Sequence, residues 1–131
     1  MMISNKELLS LAEQARERAY APYSGFLVGA ALLCSDGSVY MGCNVENASF
    51  SPTCCAERVA VFKAISDGKR DFCAIAIAGG KEKSEQACYP CGVCRQVMSE
   101  FCSDSFKIVT AEGETALGEL LPKSFKFKQE N

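Results

Sequence analysis

The sequence contains no histidine. The side chain that most often works as a general base near neutral pH is therefore absent, and acid–base chemistry falls to a carboxylate, lysine, tyrosine or thiol. No run of about 18 apolar residues occurs, so no membrane-spanning helix is expected. The first residues, Met1 to Glu7, lack a charged-then-apolar signal pattern, and a cytoplasmic protein is expected. Excess positive charge is missing too: the net charge is −2 and the lysines and arginines are dispersed. A nucleic-acid strand needs a basic groove, so no nucleic-acid partner is expected. Within 131 residues, 48% apolar and 23% charged, the chain reads as one domain, 1–131.

What the chain has in quantity is cysteine. Nine are present, an odd number with no secretory signal, which argues against a disulfide framework. Those in apolar stretches, such as Cys34 and Cys73, read as small buried hydrophobes. Two segments read differently: Cys55-Ala56-Glu57-Arg58 and Pro90-Cys91-Gly92-Val93-Cys94-Arg95-Gln96.

The hydrophobic pattern places them. Ser4 and Glu7 form a capping box, with Ile3 and Leu8 as its staple, and Leu8, Leu11, Ala12, Ala15 and Ala19 mark one face of a helix ending before Pro22. Residues 26–33 and 39–41 read as strands of a hairpin around Ser35-Asp36-Gly37-Ser38. A second helix runs from about Cys55 to Asp67, apolar on nearly every face at Val59-Ala60-Val61-Phe62. Such a helix needs cover all round, which favours burial against another subunit. Then come a strand over 72–78, a polar loop over 81–86, a helix from about Cys91 to Phe101, a strand over 106–110 and a short helix over 116–121. Strands alternating with helices imply an α/β fold, a mixed sheet with helices on its faces.

Cys91 and Cys94, three apart in the first turn of a helix, point the same way, and Cys55 opens the previous helix. Helix N-termini favour thiolate over thiol. Soft thiolates in tetrahedral array select zinc, and three protein ligands leave the fourth position open, as catalytic sites do. Glu57, two residues past Cys55, is placed to exchange protons with water in the same cavity. On position alone it is equally a glutamate favouring a helix dipole. Arg58 would draw charge off the sulfurs; without a charge partner it is a solvated helix residue.

Together these residues resemble the zinc-dependent nucleoside and nucleobase deaminases. Three further segments, Tyr23 to Leu32, Gly42 to Ala48 and Glu119 to Pro122, make the chain similar to the small homotetrameric cytidine deaminases of pyrimidine salvage. That resemblance implies a three-layer α/β/α sandwich. It also implies one zinc ion per subunit on Cys55, Cys91 and Cys94, with Arg58 supporting their sulfurs. Glu57 would then take a proton from water, protonate the ring nitrogen and help ammonia leave. It further implies that Asn44 and Glu46 bind the ribose 3′-hydroxyl, that Phe26 packs on the base and that the Ala56 backbone contacts the base carbonyl. Phe125 would come from a neighbouring subunit. A gripped 3′-hydroxyl leaves no room for a following phosphate, so the substrate is a free nucleoside, cytidine or deoxycytidine.

Alternatives stay open at this point. An antibiotic nucleoside could be the substrate, as in blasticidin S deaminase. A structural zinc module would recruit a fourth ligand, Cys54 or Cys88, and a thiol–disulfide enzyme would use Cys91 and Cys94 alone. Tyr89 departs from the family pattern, where a small residue is expected before Pro-Cys.

Overall fold

The computed structural model describes residues 2–81 and 87–127. In order they form α1 (Asn5–Arg16), β1 (Leu27–Cys34), β2 (Val39–Cys43), α2 (Ala56–Ser66), β3 (Phe72–Gly80), α3 (Gly92–Phe101), β4 (Lys107–Thr110), β5 (Gly113–Ala116) and α4 (Leu117–Leu120). The five strands make one mixed sheet in the order β2-β1-β3-β4-β5. Only the β3–β4 pair is parallel.

Strand alternation divides the sheet into two faces. Ala31 and Leu33 of β1, Ala74, Ala76 and Ala78 of β3 and Val109 of β4 meet Leu8 and Ala12 of α1. Ala30, Leu32, Ile75, Ile77 and Ile108 point the other way, against Ala60, Val61 and Ala64 of α2, Met98 of α3 and Leu117. The expected three layers, helix on sheet on helix, are present. Alanine and glycine on the α1 side let that helix lie close. A Cβ on Gly29 would fall 2.0 Å from the Ala12 carbonyl oxygen. On the opposite face, Gly42 serves α2 in the same way, its missing Cβ being 2.6 Å from both Ala56 O and Ala60 N.

This topology decides where the chemistry collects. β2 and β3 flank β1, and both run antiparallel to it. They therefore run in the same direction, and the helices that follow them, α2 and α3, both begin at the same end of the sheet.

Differences from the sequence expectations are local. The capping box of α1 forms: Glu7 N–H donates to Ser4 Oγ at 3.1 Å and Ser4 N–H to Glu7 Oε1 at 3.0 Å. The helix stops at Arg16, however, short of Ala19. The reason is tertiary: Tyr20 N–H donates to Asn44 O and Glu46 N–H to Tyr20 O, both at 2.9 Å, and this pulls the chain into a bridge beside β2. β5 was not expected. Residues 113–116 pair with β4 before the helix begins at Leu117, one residue later than its pattern indicates. Of the expected loop over 81–86, residues 82–86 lie outside the described residues. Among the described residues, no helix is long and apolar enough to cross a membrane.

Candidate active site

Cys55 and Cys91 are the N-caps of α2 and α3, each in extended conformation (φ −72° and −69°) with no side-chain cap hydrogen bond. Their thiols are thus free of the helix amides. Cys94 lies in the first turn of α3, fully buried. The Cys55 and Cys91 sulfurs are 3.8 Å apart, those of Cys91 and Cys94 3.6 Å, and all three lie within 4.8 Å of one another. Tetrahedral zinc at about 2.3 Å from each sulfur separates its sulfurs by roughly 3.8 Å. The residues fit that ion. Neither Cys54 nor Cys88 joins the group.

The electrostatics favour a thiolate at Cys55. Cys55 is held down at about 5, chiefly because the Cys94 thiol donates to it, with Arg58 adding to the effect. Cys94, the donor in that bond, is pushed up. Arg58 Nη2 lies 3.5 Å from the Cys55 sulfur. Its guanidinium is held more firmly protonated by that contact.

Glu57, on the first turn of α2, is 4% exposed. Burial raises its carboxyl to about 7, with the neighbouring Cys55 pushing the same way. A carboxyl poised there can both take and give a proton near neutral pH.

These groups open onto a cavity of about 270 Å³ lined by Phe26, Asn44, Glu46, Cys55, Ala56, Glu57 and Cys91, among others. Asn44 and Glu46 stand two apart on an extended segment, with the exposed Val45 between them, so both face the cavity. Asn44 Oδ1 accepts from Val28 N–H and its Nδ2 donates to Phe26 O, each at 2.9 Å. Glu46 Oε1 accepts from Tyr23 N–H at 3.0 Å and Ser24 N–H at 3.1 Å, and Oε2 accepts from the Ser24 hydroxyl. The Ser24 hydroxyl holds the Glu46 carboxyl below its usual value.

Phe125 is not in this cavity. It stands 68% exposed on a C-terminal segment laid along α3, where Gln96 Nε2 donates to its carbonyl at 3.1 Å.

Several residues here carried no role in the sequence reading. Ser24 orients Glu46. Arg95 Nε donates to Pro90 O at 2.7 Å and Nη1 to Leu120 O at 2.8 Å, bracing the residue before Cys91 against the end of α4. Gly79 leaves room for Cys88 and Phe26, whose atoms lie 2.7 and 3.1 Å from where its Cβ would be. Only its position beside Gly80 hinted at this, since close approach leaves no periodic signal.

The sequence model described as "Cytidine and deoxycytidylate deaminase zinc-binding region" matches residues 2–110. The chain belongs to that family of zinc-dependent hydrolases. It is 47% identical over 125 residues to a cytidine deaminase of Sporosarcina psychrophila, covering 92% of this chain and 90% of that one. It is 48% identical over 129 residues to one from Halalkalibacterium halodurans, covering 95% and 96%. The crystal structure of a cytidine deaminase from Burkholderia pseudomallei superposes with a TM-score of 0.86 at 45% identity, covering 94% of this chain and all of that one.

Proposed function

We propose that residues 1–131 form one catalytic domain that hydrolyses free cytidine and deoxycytidine to the corresponding uracil nucleosides and ammonia, in pyrimidine salvage in the cytoplasm. The observation that carries this reading is that Glu57, Asn44 and Glu46 line one cavity with Cys55 and Cys91, two of three convergent sulfurs.

Cys55, Cys91 and Cys94 would hold one zinc ion per subunit, which when bound supplies a Lewis acid that makes water a nucleophile at neutral pH. Arg58, donating toward Cys55, offsets the charge of three thiolates. Glu57 takes a proton from the attacking water and passes it to the ring nitrogen beside the amino-bearing carbon. The new carbon–oxygen bond gives a tetrahedral carbon. Glu57 next moves the remaining hydroxyl proton to the amino group, the carbon–nitrogen bond breaks, and ammonia leaves as the carbonyl forms. Phe26 packs on the base and the Ala56 backbone contacts its carbonyl.

Hydrogen-bond capacity explains the sugar contact. An amide side chain has two N–H donors, and a carboxylate has about four acceptor sites. Asn44 has one N–H in use and Glu46 three acceptor sites, so one donor and one acceptor remain. Together they suit one hydroxyl, which both donates and accepts. Reading only the 3′-hydroxyl makes ribose and deoxyribose equally acceptable.

The chain acts as a homotetramer in this reading. Phe62 of α2 is 47% exposed beside an open groove of about 630 Å³, and Phe125 is 68% exposed. In the proposed tetramer Phe125 enters the cavity of a neighbouring copy.

The test is ultraviolet absorbance of cytidine with the purified protein beside Glu57→Gln, both assayed for zinc. The parent converts cytidine; the variant keeps zinc and loses about 10²- to 10⁴-fold in kcat. Zinc present with cytidine untouched would redirect the search to other aminopyrimidines. No zinc in protein prepared without chelators would sink the reading.

A further inference from the structure

One aromatic wall of the cavity has no part in the chemistry described. Tyr89 lines it beside Cys88, Cys91 and Glu57. The residue is 41% exposed, so packing alone does not hold its ring. A hydrogen bond does: its hydroxyl donates to Glu112 Oε1 at 2.9 Å.

Glu112 belongs to the tight turn between β4 and β5, and that turn is itself anchored. Glu112 N–H donates to Thr110 Oγ1 at 3.2 Å, and Thr110 is 3% exposed at the end of β4. The next residue, Gly113, has φ +117°, a conformation that fixes the reversal and excludes most side chains. The backbone that carries the carboxylate is therefore fixed, and the hydrogen bond ties the exposed Tyr89 ring to it. Tyr89 stands one residue from Pro90 and two from Cys91. That ties the Tyr89 backbone to the sulfur-bearing side of the cavity.

We infer that Tyr89, latched to Glu112, is a specificity-determining wall that limits the size of the departing amine. This rests on the reading that the cavity takes an aminopyrimidine nucleoside with its reacting carbon at the three sulfurs. An unsubstituted amino group fits under the ring, and an alkylated one meets it. Neither residue exchanges a proton with substrate.

The test is kcat/KM for cytidine, N4-methylcytidine and 5-methylcytidine in the zinc-loaded parent, Tyr89→Ser, Tyr89→Phe, Glu112→Ala and the Tyr89→Phe/Glu112→Ala double variant. Tyr89→Ser should lower the preference for cytidine over N4-methylcytidine by about tenfold or more, the scale on which apolar pockets discriminate one methyl group. The two latch variants should lower it by a smaller and equal amount. The double variant should go no further than either, because both remove one interaction. An unchanged ratio in Tyr89→Ser overturns the wall, as does relief confined to 5-methylcytidine. Additive effects in the double variant overturn the latch. A parent inactive on cytidine sinks the nucleoside reading and takes the wall with it, whereas an active parent with unmoved ratios sinks the wall alone.

Discussion

α1 and α2 are helices of similar length that lie on opposite faces of one sheet, each admitted by a glycine, and they are built to different ends. α1 has a complete capping box and buries an apolar stripe, Leu8, Ala12 and Ala15, with Arg16 buried at its end and donating to Gly80 O. α2 begins on Cys55 with no side-chain cap, buries a glutamate and leaves a phenylalanine in solvent. At its N-terminus α1 makes the locally favourable choice, a serine cap with a reciprocal glutamate. In α2 the N-cap position that a serine or aspartate would fill is given to a thiol, and a carboxyl is buried at some cost to the fold. Such departures from local optimality gather where a protein has a site.

The comparison can be broken at the N-caps. Cys55→Ser should abolish zinc retention and turnover, because the softer sulfur ligand is lost. Because serine is a good N-cap in the extended geometry seen there, the metal-free variant should be no less stable than the metal-free parent in urea. A metal-free variant that unfolds at clearly lower urea would show that Cys55 serves the fold as well as the site.

Next come the glycines. Gly29→Ala drives a methyl into the α1 backbone, and Gly42→Ala drives one into the first turn of α2. Both should destabilise by about 1–3 kcal/mol or more. Only Gly42→Ala should also weaken zinc affinity in the folded fraction, since it displaces the turn that carries Cys55. Equal zinc retention in both would break the link between that contact and the site.

The exposed apolar face of α2 has no equivalent on α1. Phe62→Asp should shift the protein to a smaller species in sedimentation, while Ser10→Asp on the exposed side of α1 should not. An unchanged mass for Phe62→Asp would remove α2 from the proposed subunit contact.

A smaller effect concerns pH. In chelated protein Glu57 titrates at about 7, raised by burial from 4.5. Between those values the unfolded chain releases this proton first, so the folded state binds more protons and stability falls as pH rises. The stability difference between Glu57→Gln and parent should therefore grow in favour of the variant from about pH 4.5 to 7, then level off. A flat difference would show that the carboxyl is not desolvated.

Smallest of all, Ser4→Ala should cost about 1 kcal/mol in urea denaturation and leave kcat/KM unchanged. Any loss of activity would contradict the division of labour between the two helices.

Much of the site was legible because its signals are local. The C-x-x-C at a helix start and the Cys-x-Glu at another are short-range patterns, and the thiol chemistry follows from residue type. Alternation on an extended segment placed Asn44 and Glu46 on one side. The end of α1 was not legible, because the Tyr20 backbone is captured by Asn44 and Glu46, more than twenty residues away. β5 was missed because Gly113-Glu114-Thr115-Ala116 has no apolar alternation; pairing with β4 alone makes it a strand. Tyr89 was legible as a departure from pattern, but its tie to Glu112 joins the segment before α3 to the β4–β5 turn, a proximity no periodicity encodes.

By itself, then, the sequence determined every element type except β5, the candidate metal-binding residues and the lack of an imidazole base, since these depend on residue chemistry and neighbours a turn apart. Only the tertiary structure decided that three sulfurs meet within 4.8 Å and that Glu57 is buried beside them. The reason is topological: β2 and β3 run in the same direction on either side of β1, which brings two helix N-termini to one end of the sheet.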